Sequence, residues 1–241
     1  MPLHPPISVD VLIPALNEEQ ALPEVLAAIP SHVRRIIVVD NGSTDGTAAV
    51  ARRGGATVVH EAQRGYGAAC LAGLSYMAAT PPDVVVFLDG DHSDYPEELD
   101  LLLATMEARQ ADLVIGSRSQ RAARGALTPQ QRVGNHIACL WLRALYGVHW
   151  TDLGPFRAIR WHALQTLQMA DRNYGWTVEM QLKAARAQLP SAEVPVRYRP
   201  RIGSSKVSGT LKGTVLASAK ILSLLARHTL GPTAHREQPY A

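Results

Sequence analysis

The sequence predicts an α/β fold in which a mostly parallel central sheet carries helices on both faces. Two observations lead there. Through the first half of the chain, short β-branched runs alternate with segments whose apolar residues recur at helical spacing, and such alternation builds parallel βαβ units. The stretches rich in Asp, Asn and Gly fall where the β-branched runs end, and open sheets of this kind bind ligands outside the carboxyl ends of their strands.

Taken in order, Val9 to Ile13, Arg35 to Val39, Ala56 to His60, Val84 to Leu88 and Asp112 to Ile115 read as strands. Glu19 to Ile29, Asp45 to Arg53, Ala68 to Ala79 and Pro96 to Arg109 read as the helices between them. The second half is less regular. Residues 117–131 are polar and basic with little pattern, Arg132 to Tyr146 reads as a helix, and Trp150 to Arg160 as a turn leading into a strand. Trp176 to Gln188 is a further helix, Glu193 to Tyr198 a strand, and Arg201 to Gly209 a Gly- and Ser-rich basic loop. An amphipathic helix is expected over about 211–230, completing a single domain over 1–230, with 231–241 a frayed tail.

At 241 residues and 46% hydrophobic content the chain can bury one substantial core. Its two cysteines, Cys70 and Cys139, sit in apolar helical contexts without metal-ligand or disulfide spacing, which points to a reducing cytoplasm. No secretory signal pattern and no bilayer-length apolar run is seen. The formal net charge of +3, carried mostly by arginine in the second half, favours anionic partners such as phosphates or lipid headgroups, and nothing calls for nucleic acid.

The densest chemistry lies at Asp89-Gly90-Asp91, which ends the most apolar strand. Residues i and i+2 of an extended chain share a face, so both carboxylates point the same way, and Gly90 between them lets a ligand approach the backbone. Paired like charges repel unless a cation or donors compensate, and Mg2+ or Mn2+ takes one or two carboxylates plus substrate phosphates. An acidic turn capping the next helix is the alternative. Asp40, at the mouth of a buried strand, can accept from a nucleobase N–H or serve as an Asx-turn residue. Asn17 and Glu18 suit an N-cap and first-turn acid equally well, and capping is the better role for Asp45.

Four stretches occur in order at strand–loop–helix spacing: Pro14-Ala15-Leu16-Asn17-Glu18-Glu19, Val38-Val39-Asp40-Asn41-Gly42-Ser43-Thr44-Asp45-Gly46-Thr47, Gly65-Tyr66-Gly67-Ala68-Ala69 with Gly73, and Leu88-Asp89-Gly90-Asp91. Together they resemble the family 2 glycosyltransferases, over about residues 8–230, and so imply a Rossmann-like GT-A fold. The resemblance implies that Asp40 contacts the base of a nucleoside-diphosphate sugar, that Pro14, Ala15, Asn17 and Glu18 line the nucleotide, and that Asp89 and Asp91 hold the metal on the diphosphate. Arg64 and Gly65 would lie near the nucleotide, where many relatives carry a lysine in place of Tyr66. Gly116-Ser117-Arg118, Arg132, Gly154-Pro155-Phe156-Arg157 and Arg201-Ile202-Gly203-Ser204-Ser205-Lys206 resemble downstream motifs of the dolichyl- and polyprenyl-phosphate mannose and glucose synthases. That likeness implies a polyprenyl phosphate acceptor faced by Arg118 and Arg132, with Lys206 on the donor side.

Asp152 matches the region that supplies a general base in relatives with hydroxyl acceptors. A phosphate acceptor is already an anionic nucleophile, and Asp152 would then position Arg157 or its loop instead. The expected activity is inverting transfer of a hexose, from a donor of the UDP-glucose or GDP-mannose type, to a polyprenyl phosphate. A soluble or saccharide hydroxyl acceptor with Asp152 as base is the runner-up, and a non-catalytic sugar-nucleotide-binding module the alternative of another class. The 211–230 helix would hold the protein peripherally at the inner face of the membrane, complete its core, or form a homodimer.

Overall fold

The computed structural model describes residues 7–203. The expectations for Lys206, the 211–230 helix and the 231–241 tail lie outside the described residues. The elements are β1 (Val9–Ala15), α1 (Leu22–Ala28), β2 (Arg35–Asp40), α2 (Thr47–Arg53), β3 (Thr57–His60), α3 (Tyr66–Met77), β4 (Val84–Phe87), a 3₁₀ turn (Pro96–Glu98) running into α4 (Leu99–Ala108), β5 (Leu113–Ser117), α5 (Pro129–Tyr146), β6 (Arg157–Arg160), α6 (Trp161–Leu167), α7 (Trp176–Arg186) and β7 (Ser191–Pro195).

The strands form a seven-stranded sheet ordered β3-β2-β1-β4-β6-β5-β7, parallel except for β6, which runs antiparallel to both β4 and β5. Successive residues of a strand face opposite sides, and each side has its own core. Leu12, Ile37, Val39, Val85, Phe87 and Leu113 pack with α3, α5, α6 and α7. Val11, Ile13, Val38, Val84, Val86 and Val114 pack with α1, α2 and α4 on the other. From β1 the chain first winds outward through β2 and β3, then returns to place β4 on the opposite flank of β1. This reversal opens a crevice at the carboxyl ends of β1 and β4, the switch point at which doubly wound sheets bind ligands.

The α/β expectation holds, with shifted boundaries. α1 starts at Leu22, after a turn in which Asn17 is left-handed (φ 55°) and the Glu18 carbonyl accepts from the amides of Ala21 and Leu22. α5 starts at Pro129, three residues early, because Thr128 and Gln131 form a reciprocal capping box. β7 runs over Ser191–Pro195, earlier than its sequence pattern suggested, and α6, which follows β6 directly at Trp161, is a helix the sequence reading left out.

Candidate active site

At the switch point lies a cleft of about 740 Å³, lined by residues from the ends of β1 and β4, the start of α3, α5, the Asp152 loop and the start of α7. From β1 come Pro14, Ala15 and Glu18. Asn17 is not on the wall; it ties two rims together, its amide donating to Ser43 Oγ (2.9 Å) and its Oδ1 accepting from the Thr44 amide (2.8 Å). Nor does Asp40 line the cleft in this state. Its carboxylate is buried, Oδ1 accepting from the Ser43 amide at 2.9 Å as an Asx-type turn and Oδ2 lying 3.2 Å from His60 Nδ1. The neighbouring Asn41 does reach the wall, donating to the carbonyls of Glu61 and Gln63 while accepting from the Gly65 amide at 2.7 Å.

Asp89, Gly90 and Asp91 form the centre of the rim, and a Cβ on Gly90 would come within 3.3 Å of Ile13. Each carboxylate has an oxygen held by a neighbouring hydroxyl. Tyr66 donates its hydroxyl to Asp89 Oδ1 at 3.1 Å, while Asp91 Oδ1 accepts from the amide (3.0 Å) and hydroxyl (2.5 Å) of Ser93. Burial and then the charge of Asp91 push the Asp89 carboxyl up to about 6, against the pull of Arg201. Asp94, also buried, has no hydrogen-bond donor to either oxygen among the described residues. Burial, then Asp89 and Asp91, hold it well above the usual carboxylate range.

A strap formed by residues 199–202 crosses this acidic turn. The amides of Arg199 and Ile202 donate to the carbonyls of Ser93 (2.9 Å) and Asp91 (3.0 Å), and Arg201 Nη1 sits 2.7 Å from Asp91 Oδ2. A guanidinium thus stands against the carboxylate where a metal cation would go. Among the described residues no group of three or more His, Cys, Asp and Glu is arranged to hold a metal. Two hard oxygen donors therefore suit Mg2+ or Mn2+ completed by phosphate oxygens and water, and they do not suit an all-protein cage.

On the far wall, Arg118 and Asp152 form a buried two-point pair: Nε donates to Oδ2 and Nη2 to Oδ1, both at 2.8 Å, and the Arg118 amide adds a third bond to Oδ2 at 2.7 Å. Burial opposes both charges, yet the partner overrides it, raising Arg118 and lowering Asp152. The arginine held by Asp152 is therefore Arg118. The expectation that it would position Arg157 is corrected: that guanidinium donates instead to the carbonyls of Leu153, Gly154 and Thr177, and burial pushes it down to about 10. Arg132 lies on the exposed rim of the same cleft, on the first turn of α5, and Arg64 lines the opposite edge.

The floor was the part missed from sequence. Gly65 and Gly67 press against residues 171–173 so closely that a Cβ would fall 2.0 Å from the Arg172 carbonyl oxygen and 1.9 Å from that of Asp171. The amides of Gly67 and Ala68 donate to the Asn173 and Arg172 carbonyls, and this clamp carries Asn173, Tyr174, Trp176 and Thr177 into the cleft. The run Asn173-Tyr174-Gly175-Trp176 was the available signal, a polar–aromatic turn at a helix start.

The family model for glycosyl transferase family 2 matches residues 10–166, which include the ends of β1, β2 and β4 and the Arg118–Asp152 pair. An uncharacterized glycosyltransferase of Mycobacterium tuberculosis is 43% identical over 212 residues, covering 87% of this chain and 94% of its own. The undecaprenyl-phosphate mannosyltransferase of Micrococcus luteus is 33% identical over 230 residues, 90% of this chain and 94% of its own. Among solved structures, glucosyl-3-phosphoglycerate synthase of M. tuberculosis, in complex with Mn2+, UDP and glucosyl-3-phosphoglycerate, shares the fold with a TM-score of 0.75 at 24% identity, over 95% of this chain and 82% of that one. With a matched segment spanning most of the sheet and its catalytic rim, the chain belongs to glycosyl transferase family 2 and is a glycosyltransferase of GT-A fold.

Proposed function

We propose that this glycosyltransferase moves a hexose from a nucleoside-diphosphate sugar to a polyprenyl phosphate by single displacement with inversion. The observation that carries the acceptor is the Arg118–Asp152 pair. A hydroxyl acceptor must lose its proton as it attacks and needs a base within reach. Both oxygens of Asp152 are committed to Arg118, and its carboxyl is held below the ordinary range, so it is a weak base. A phosphate monoester needs no base, and Arg118 with the exposed Arg132 offers it cationic donors on one wall. The Micrococcus relative is named for transfer to undecaprenyl phosphate, and a Mycolicibacterium smegmatis relative, 33% identical over 83% of this chain, is named polyprenol monophosphomannose synthase. Both names favour a mannosyl donor.

On the donor side, Pro14, Ala15 and Glu18 would take the nucleotide, with Asn41, Arg64 and Gly65 closing its flank. Asp40 would read the base after exchanging its His60 contact for a nucleobase N–H. Asp89 and Asp91 would hold Mg2+ or Mn2+, which when bound neutralises charge on the departing diphosphate. Arg201, released from Asp91, would then be free for a phosphate oxygen. Attachment at the inner face of a membrane belongs to the same reading; among the described residues no helix is long and apolar enough to cross one.

Nucleotide release from UDP-glucose and GDP-mannose tests the proposal. It should start when polyprenyl phosphate is added with Mn2+ in detergent and should not start with the corresponding polyprenol. Equal release with the alcohol would return Asp152 to the role of base.

A further inference from the structure

The floor of the cleft holds a donor with nothing to donate to. Trp176 opens α7 with 1% of its surface exposed, and its ring packs against Phe87 with centroids 5.9 Å apart at 58°. Its indole Nε1 has no acceptor among the described residues, although the side chain lines the cleft. An indole nitrogen donates and cannot accept, and a buried donor left without a partner is costly. On the wall of a ligand site, the ligand is the natural acceptor.

Position decides which part of a ligand that is. Phe87 ends β4 two residues before Asp89, so the indole tilted against it lies close to the acid pair. On its other side the same helix start is tied to the Asp152 loop: Arg157 Nη1 donates to the Thr177 carbonyl at 3.1 Å, and Gln181 Nε2 donates to the Asp152 carbonyl at 3.1 Å. Trp176 therefore stands between the carboxylates assigned to the diphosphate and the arginine assigned to the acceptor. In a single displacement the transferred sugar occupies the space between leaving group and nucleophile. Neutral hydroxyls are its only substituents there, and a neutral indole N–H suits a hydroxyl oxygen.

We propose that Trp176 is a specificity-determining residue, its indole N–H donating to one hydroxyl of the donor hexose. The inference rests on the glycosyl-transfer reading above and adds the sugar contact which that reading lacks. An ordered water satisfying the same N–H is the competing occupant.

Trp176→Phe keeps an aromatic ring against Phe87 and removes the donor together with part of the ring's volume, a packing loss that the bare diphosphate controls for. Calorimetry with Mn2+ compares a nucleoside diphosphate with its hexose conjugate, using UDP with UDP-glucose and GDP with GDP-mannose. The variant should bind the sugar nucleotide about tenfold more weakly, as expected for one lost hydrogen bond, and the bare diphosphate as before. Among singly deoxygenated donors, one should lose about tenfold on the wild type and nothing further on the variant. Equal loss for both ligands, or no loss for either, overturns the proposal in favour of a packing or water-binding role. Should the variant not fold, the deoxy series on the wild type decides alone: if no single deoxygenation weakens binding, the hydroxyl contact does not exist. A wild type that binds neither nucleotide overturns the glycosyl-transfer reading itself, and with it this contact.

Discussion

Asp152 shows how one carboxylate can be mistaken for another kind. From sequence it was a base for a hydroxyl acceptor or, with a phosphate acceptor, a residue positioning Arg157 or its loop. The buried partner proved to be Arg118, 34 residues away in sequence, an approach made by the β5 and β6 register and not by local spacing. Removing one member of a buried ion pair strands the other. Asp152→Ala should therefore cost about 3–5 kcal/mol in denaturant unfolding, whatever the acceptor. The pH dependence follows from the sign of the shift. A carboxyl held below its unfolded value stabilises the fold above the ordinary carboxylate range, near pH 4, and loses that contribution as pH falls through its lowered folded value. The gap between wild type and Asp152→Ala should stay constant from neutrality to about pH 4 and narrow only below it; a gap that closes already at pH 6 would assign the cost elsewhere. Asp89 and Asp91 stand out in the sequence as a local acidic pattern, but the strand expected to deliver them ends at Phe87, and Gly90 and Asp91 lie in a turn. Asp91→Asn should keep the melting temperature within a few degrees and lower turnover by about 100-fold or more, a loss at least as large as outer-shell changes produce.

Among the elements, two contacts bear on function. The strap over Asp91 to Asp94 places Arg201 on one carboxylate of the acid pair, where in the proposed reading it would compete with the cation. Arg201→Gln should consequently bind Mn2+ more tightly in the absence of nucleotide, and UDP or GDP more weakly in its presence. Calorimetry showing the same direction of change for both would mean that Arg201 does not compete with the cation. The α3 start is the second. Gly65, at φ 147°, and Gly67, whose missing Cβ makes room for the Asp171 carbonyl, hold the 171–173 turn against the start of α3 at the edge of the cleft. Gly67→Ala must push backbone apart and should cost about 1–3 kcal/mol, the range for overpacking, with weaker donor binding alongside. The helices and strands of the first half could be read from their periods; this clamp could not, because a glycine's missing atom is informative only once its neighbour in space is known. Trp176 and Thr177 went unassigned for the same reason, since their sequence context says helix start and nothing about the cleft.

At the scale of the whole molecule, the alternation of apolar runs predicted the parallel sheet, while the pairing of β1 with β4 is a property of connectivity that brings the carboxyl ends of both strands to one rim. In the proposed reading the donor takes the wall of Pro14, Glu18 and the acid pair and the acceptor takes that of the Arg118–Asp152 pair, with the transferred sugar between them. The residues assigned to the donor come from short local stretches, Pro14 to Glu18 and Asp89 to Asp91, which is why a sequence pattern singles them out. The acceptor half is assembled from β5, α5 and the loop before β6, and its logic appears only when the strands are in register. The claim that ties both halves together is that the nucleophile arrives already charged. It is tested most directly by supplying labelled GDP-mannose or UDP-glucose with Mn2+ to a mixture of polyprenyl phosphate, polyprenol and 3-phosphoglycerate in detergent, and weighing the products by mass spectrometry. Label should appear as a polyprenyl phosphohexose and not on either hydroxyl; label on polyprenol or on the glycerate hydroxyl, with polyprenyl phosphate unmodified, would contradict it.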